Sequence, residues 1–121
     1  MLEIFRTVTS DINGKLHSEL LQLDEISDNC WIDLTAPTED ELAIVGEALG
    51  VPSDFLRYPL DEEERPRIDI EEDEGHVLII TDLPYVRREG IYAKYETQPL
   101  GKTLKGKHTV TTSLRESNTR E

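Results

Sequence analysis

The residues best suited to chemistry stand in "DEEERPRIDIEEDEG", residues 61–75, a run crowded with carboxylates. Carboxylate oxygens bind hard divalent cations, so the chemistry to test is a metal site. A calcium loop of the EF-hand kind needs oxygens at alternating positions, a central Gly and a Glu at the twelfth place. "DIEEDEGHVLII" has its Gly at the seventh place and Ile at the twelfth, and it fails that test. Magnesium asks for less, one or two carboxylates with several retained waters. Asp69, Glu71 and Asp73 are the candidates here. On a strand Asp69 and Glu71 project from one face, while Glu72, Asp73 and Glu74 crowd the turn that follows. Taken alone, the run reads as the solvated end of a hairpin, with a weak cation site as the sharper alternative.

Other chemistries find less support. Cys30 stands beside Trp31 at the start of an apolar run, the setting of a small core residue. As the lone cysteine it builds neither a disulfide framework nor a thiolate zinc site. The serines lack the Gly-x-Ser-x-Gly context of a nucleophile elbow. His17, His76 and His108 share no metal-ligand spacing. "GKTLKGK" lacks the Walker spacing and opens no helix, so it reads as a hairpin turn with exposed lysines. No acid, base and nucleophile converge, and the expectation is a protein that is not an enzyme.

The formal charge is −13 over 121 residues. Phosphate binding needs a basic face, so nucleic acid is not an expected partner. Cations and basic surfaces are the natural ones. The charge is uneven: residues 1–75 carry 21 acids against 5 Lys/Arg, and residues 76–121 carry 5 acids against 8. That asymmetry implies different surroundings for the two parts. No stretch reaches the 18 or so apolar residues of a membrane helix, and the first residues lack the pattern of a secretory signal.

These side chains must be held by elements that the pattern also predicts. "LEIFRTV" alternates as a strand, Asn13-Gly14 signals a tight hairpin, and Leu16 to Leu23 is the return strand. "CWIDL" reads as a short buried strand. "TAPTEDELAIVGEALG" is the clearest helix, with Thr38 and Glu41 at capping-box spacing, Leu42, Val45 and Leu49 on one stripe, and Gly50 as its stop. "VPSDFLRY" predicts a second, short helix that Pro59 ends at Tyr58. "RPRIDIEED" alternates Ile68 and Ile70 against Asp69 and Glu71 as a half-buried strand, and "EDEG" is its turn. "HVLIITDL" is apolar enough to be covered on both faces, and Pro84 closes it. "VRREG" is expected as a loop. "IYAKYETQPL" and "HTVTTSL" are two further strands, and "RESNTRE" has little to bury. The expected fold is α/β of mixed type, α+β in character. It is one domain over residues 1–115, with a mixed sheet, helices packed on at least one face, and a frayed tail at 116–121.

The order of three blocks resembles the cytosolic N-terminal domain of the CorA family of magnesium transporters. They are "WIDLTAPTEDELAIVGEALGVPSDFL", "LDEEERPRIDIEEDEGHVLIITDLP" and "YETQPLG". The resemblance covers about residues 25 to 116. It implies a soluble domain followed by long stalk helices and two membrane spans, with a Gly-Met-Asn motif at the pore mouth. It also implies a homopentamer, a place on the cytoplasmic side of the cell membrane, and Mg2+ as a regulatory ion bound between cytosolic domains. Related members carry cobalt, nickel or zinc.

This chain holds no Gly-Met-Asn and no membrane helix, so it is expected to be either a piece truncated from a longer transporter, the preferred reading, or a free-standing relative. The state of the piece itself is left open between monomer and weak oligomer. In the family one regulatory acid follows the long apolar strand and meets a stalk residue of a neighbouring subunit. Here that place falls near Arg87, and Asp82 and Glu89 are the nearest acids. They join Asp69, Glu71 and Asp73 as weak metal candidates. Relatives carry aliphatic residues where Lys102 and Lys105 stand. The function implied is a cytosolic regulatory domain that couples metal occupancy to channel gating. The alternative is an acidic binding module that docks a basic partner protein.

Overall fold

Asn13 and Gly14 take φ of 53° and 80°. Two successive positive values are what a two-residue type I′ turn requires, and only Gly or Asn adopts them readily. The chain reverses there, between β1 (Leu2–Ile12) and β2 (Lys15–Leu23). The structure is a computed structural model that describes residues 1–116. The elements after the first hairpin are β3 (Trp31–Thr35), α1 (Glu39–Leu49), α2 (Ser53–Arg57), a 3-10 turn (Tyr58–Leu60), β4 (Arg67–Glu71), β5 (His76–Glu89), β6 (Tyr92–Lys105) and β7 (His108–Ser113).

The strands form one sheet in the order β2-β1-β3-β7-β6-β5-β4. Neighbours are antiparallel except β3 and β7, which are parallel. A parallel pair needs a long crossover, and everything from α1 to β6 lies within it. The expected mixed sheet with helices packed on it is what the chain forms. Met1, Thr35 and Ser113 meet at one end of the parallel pair. Thr35 donates its N–H to Met1 O at 3.0 Å, and Ala36 donates to Ser113 O at 2.9 Å.

Register separates the two faces of the sheet. One row crosses all seven strands of the described residues as Leu23, Ile4, Ile32, Val110, Thr103, Leu78 and Asp69. Its middle members are buried, and the helices lie over them. The adjacent row reads Gln22, Phe5, Trp31, Thr109, Leu104, Val77 and Ile70 and points the other way. No helix of the described residues covers that second face.

The helix α1 starts and stops as its sequence predicts. Thr38 Oγ1 accepts from the Glu41 N–H at 3.1 Å, and the Thr38 N–H donates to Glu41 Oε1 at 2.9 Å. Gly50 ends the helix with φ of 69°. Leu42, Val45 and Leu49 then pack with Leu56 on Ile4, Ile32, Leu34 and Val110, and Cys30 lies in the same core. The 3-10 turn seats on β6 at Gly101, where a Cβ would stand 2.0 Å from Pro59 Cγ.

Four expectations are corrected. Ile68 and Ile70 are 63% and 67% exposed, while Asp69 is the half-buried neighbour. Period two sets alternation but not which face the helices choose. Only one face of "HVLIITDL" is covered: His76, Leu78 and Ile80 are buried, and Val77 and Ile79 are half-buried. Pro84 does not close β5. The strand runs on to Glu89, and "VRREG" is strand rather than loop down to the turn at Gly90-Ile91. Beyond Ile80, β5 has a neighbour on one side only, so a residue without an N–H is tolerated there. The second helix does end where expected, α2 stopping at Arg57 with Tyr58 as its C-cap, although Tyr58 keeps helical geometry as the chain tightens into the 3-10 turn. The expected fraying of 117–121 lies outside the described residues.

Candidate functional site

Where β5 and β6 leave the cover of the helices, Tyr85 and Glu96 are opposite one another in register. The Tyr85 hydroxyl donates to Glu96 Oε2 at 2.5 Å. Arg87 and Lys94 approach the other carboxylate oxygen at 3.8 and 3.7 Å. Arg115, just past β7, closes the cluster from the side. Its Nη1 donates to the Tyr85 hydroxyl at 3.1 Å, its Nη2 donates to Glu62 Oε1 at 2.5 Å, and its guanidinium lies 4.9 Å from the centre of the Tyr85 ring. Between these groups is a cleft of about 270 Å³.

Beneath it Gln98 is 1% exposed. Its side chain holds the backbone of Arg115 by a bond in each direction. A planar amide that matches one donor and one acceptor does the work of a further strand pair. It binds the segment after β7 to β6.

The electrostatics follow from these contacts. The hydrogen bond from Tyr85 holds the Glu96 carboxyl below its ordinary range, and Arg87 and Lys94 act in the same sense. That bond also raises the Tyr85 phenol, which would lose its acceptor partner's tolerance if it ionised. The bond to Glu62 raises Arg115. Each carboxylate of the cluster therefore has a cation of this same chain beside it. The arrangement is an ionic latch between the β5–β6 hairpin, the segment after the 3-10 turn and the segment after β7.

The acids singled out from the sequence lie elsewhere. Asp69 accepts from Arg67 Nη1 at 2.6 Å, and Arg67 also pairs with Glu64 at 3.1 Å and lies over the Tyr58 ring. Glu71 follows on the same face of β4, and Asp73 is exposed in the turn. Asp82 is exposed on β5, and Glu89 pairs with Arg87 at 3.6 Å. Among the described residues no three His, Cys, Asp or Glu side chains form a group able to hold a metal ion. His76 is buried against Phe55, His17 is exposed on β2, and His108 contacts Ser27 O at 3.0 Å. Tyr85, Glu96, Gln98 and Arg115 were not among the candidate site residues, although Glu96 and Gln98 lie in the block "YETQPLG". A turn assigned at Gly90-Ile91 would have put Tyr85 opposite Glu96, but nothing local points to Arg115.

No protein-family model matches the chain. Over an 83-residue alignment it is 37% identical to the cobalt/magnesium transport protein CorA of Methanocaldococcus jannaschii, covering 60% of this chain and 26% of that protein. The complete structure of the CorA magnesium transporter from that organism matches 97% of this chain at 26% identity with a TM-score of 0.66. The structure of the soluble domain of the same CorA matches 96% at 26% identity with a TM-score of 0.70. The chain spans 33% and 41% of those two solved chains. Its fold is that of the CorA soluble domain, and over part of its length its sequence is similar to CorA.

Proposed function

We propose that this chain, as a domain with the CorA soluble fold, is the cytosolic regulatory part of a CorA-like transporter of magnesium or another divalent cation. In this reading it couples intracellular metal occupancy to gating and catalyses no reaction. The agreement of nearly the whole chain with the CorA soluble domain carries the reading. The surplus of carboxylates supports attraction of cations.

The bare sheet face supports a place within a larger assembly. Ile68 and Ile70 there are apolar and exposed, and such a surface calls for a cover. Stalk helices of a longer chain are the cover proposed, with a homopentamer as the assembly. The latch at Arg115 then ties the β5–β6 hairpin to the start of the stalk.

Among the described residues no three His, Cys, Asp or Glu side chains form a group able to hold a metal ion. Arg67 occupies Asp69, Arg87 occupies Glu89, and Glu71, Asp73 and Asp82 do not converge. In this reading the metal is shared by donors from more than one copy. Coupling of that kind acts by favouring one of two arrangements of the assembly.

The test is a graft of this chain in place of the matching part of the soluble domain of M. jannaschii CorA, its remaining residues kept, with magnesium flux followed as internal magnesium is raised. Flux that falls with internal magnesium is expected. Flux indifferent to it overturns the coupling. The exposed carboxylates of Glu71, Glu72, Asp73 and Glu74 favour a second reading, a module that docks a basic protein. A melting temperature raised by a lysine-rich peptide but not by millimolar magnesium, together with an indifferent graft, selects that one.

A further inference from the structure

Beyond Phe5 the first hairpin leaves the body of the sheet. β3 pairs with β1 only from Leu2 to Phe5, while β2 follows β1 out to Ile12 and Lys15. Every residue of β1 from Thr7 onward, and of β2 up to Gln22, is exposed. A two-stranded ribbon with nothing packed on it is marginally stable in water. Its order therefore hangs on the ladder and on the turn that sets the register, Asn13-Gly14.

The same two residues carry a reactive pair of groups. An asparagine amide carbon is an electrophile, and the backbone nitrogen of the next residue lies within reach of it. Bulk on that next residue, or engagement of its N–H, limits the attack. Gly14 has no side chain, and even a Cβ there would meet nothing within 4 Å. The two-residue turn closes between Ile12 and Lys15, which leaves the Gly14 N–H outside the ladder. Asn13 itself is exposed. Asn29 also takes a positive φ, of 60°, but it precedes Cys30, which is 2% exposed and whose carbonyl accepts from Thr109. Asn118 precedes a threonine.

We infer that Asn13 is a site of spontaneous deamidation, and that the modified turn releases the outer ribbon. The Gly14 nitrogen bonds to Asn13 Cγ and gives up its proton, and the side-chain nitrogen leaves as ammonia. Water then opens the cyclic imide at either carbonyl. One opening yields aspartate and retains the turn, since Asp-Gly suits the same geometry as Asn-Gly. The other yields isoaspartate, whose main chain runs through the side-chain carbon and is longer by one atom. That residue does not fit a type I′ turn, which requires positive φ at both central residues. The ladder from Thr7 and Leu20 out to Ile12 and Lys15 then loses its closure, while Leu2 to Phe5 stay held by β3. Either product adds one negative charge, taking −13 to −14.

Ageing the 121-residue chain in mildly alkaline buffer tests this, continued until the same chain unfolded in urea is half converted at Asn13. Ion exchange separates the more acidic products, and peptide mapping follows Asn13, Asn29 and Asn118. The expected result is conversion at Asn13 ahead of the other two. In the isoaspartyl fraction, amides from Thr7 to Leu20 should lose protection from hydrogen exchange, while those of β3, β6 and β7 keep it. Asn13→Asp, the standard for the aspartyl product, should keep the protection of the unaged chain. Asn13→Gly also suits the turn and should age without losing protection. An Asn13 that stays intact in the folded chain, or that converts after Asn29 or Asn118, overturns the site. A ribbon as protected in the isoaspartyl fraction as in the unaged chain, or a loss that aged Asn13→Gly shares, overturns the release.

Discussion

Gln98 and Arg115 are joined twice: Gln98 Nε2 donates to Arg115 O at 2.8 Å, and the Arg115 N–H donates to Gln98 Oε1 at 3.1 Å. One buried side chain thus fixes the direction in which the chain leaves β7. The guanidinium of the same Arg115 reaches Glu62 and Tyr85. The latch is therefore anchored through the backbone and tensioned through the side chain.

Removing the anchor exposes its worth. Gln98→Leu leaves both backbone groups of Arg115 without their partners near a buried site, and a lost buried pair costs about 1–3 kcal/mol. Urea unfolding should report a loss of that size. Amide exchange at Arg115 should quicken by more than the global loss accounts for. An unchanged Arg115 amide would mean that Gln98 fills space and anchors nothing.

The Tyr85–Glu96 bond makes opposite predictions at the two ends of the pH scale. Glu96 has its carboxyl lowered by the Tyr85 bond first. Its contribution is present above the unfolded carboxylate value, about 4.3, and is lost as pH falls through the lowered one. Tyr85 is raised by the same bond. Its contribution is complete below the unfolded phenol value, about 10, and is lost as pH rises through the raised one. Tyr85→Phe should therefore flatten both the acid and the alkaline limb of a melting-temperature profile. An acid limb that persists in Tyr85→Phe would assign the lowering of Glu96 to Arg87 and Lys94.

Gly101→Ala tests the seat of the 3-10 turn. The added Cβ would overlap Pro59 Cγ and Cβ, at 2.0 and 2.7 Å, and forcing extra carbon into a packed site costs about 1–3 kcal/mol. Thermal unfolding should fall accordingly, and Pro59→Ala in the same chain should recover part of it. No recovery would place the strain elsewhere.

The two faces of the sheet predict unequal sensitivity. Leu78→Ala empties a fully buried position and should destabilise by about 2–5 kcal/mol. Ile70→Ser, on the bare face beside it, should change stability by about 0.5 kcal/mol or less. Denaturant midpoints of the two variants check this. A large loss from Ile70→Ser would show that the face is covered in solution.

What was legible in the sequence depended on how far apart the interacting residues lie. The turn at Asn13-Gly14 and the capping box of Thr38 and Glu41 are settled within a few residues, and both were expected. The family blocks reach across the chain, and the fold they implied is the one formed. The side of β4 that faces the helices was not legible, because Ile68 and Asp69 alternate equally well in either orientation. That choice is made by the crossover from β3, which lays α1 and α2 over the row of Ile32 and Val110. Pro84 misled for a related reason: it breaks a ladder only where a strand has two neighbours, and the reach of β4 along β5 has no local signature. The latch was hidden most deeply, since Arg115 lies 30 residues from Tyr85 and 53 from Glu62.

The meeting of Met1, Thr35 and Ser113 has a consequence for how the chain can be rewired. The start of β1 and the end of β7 are held at the same end of the sheet, through bonds to Thr35 and Ala36. Ends that lie together can be joined, and new ends opened at an exposed turn, without disturbing a fold. A circular permutant with a short Gly-rich linker into Met1 and a break at Gly90 should keep all seven strands in place. Order across the sheet, rather than order along the backbone, is then what defines this domain.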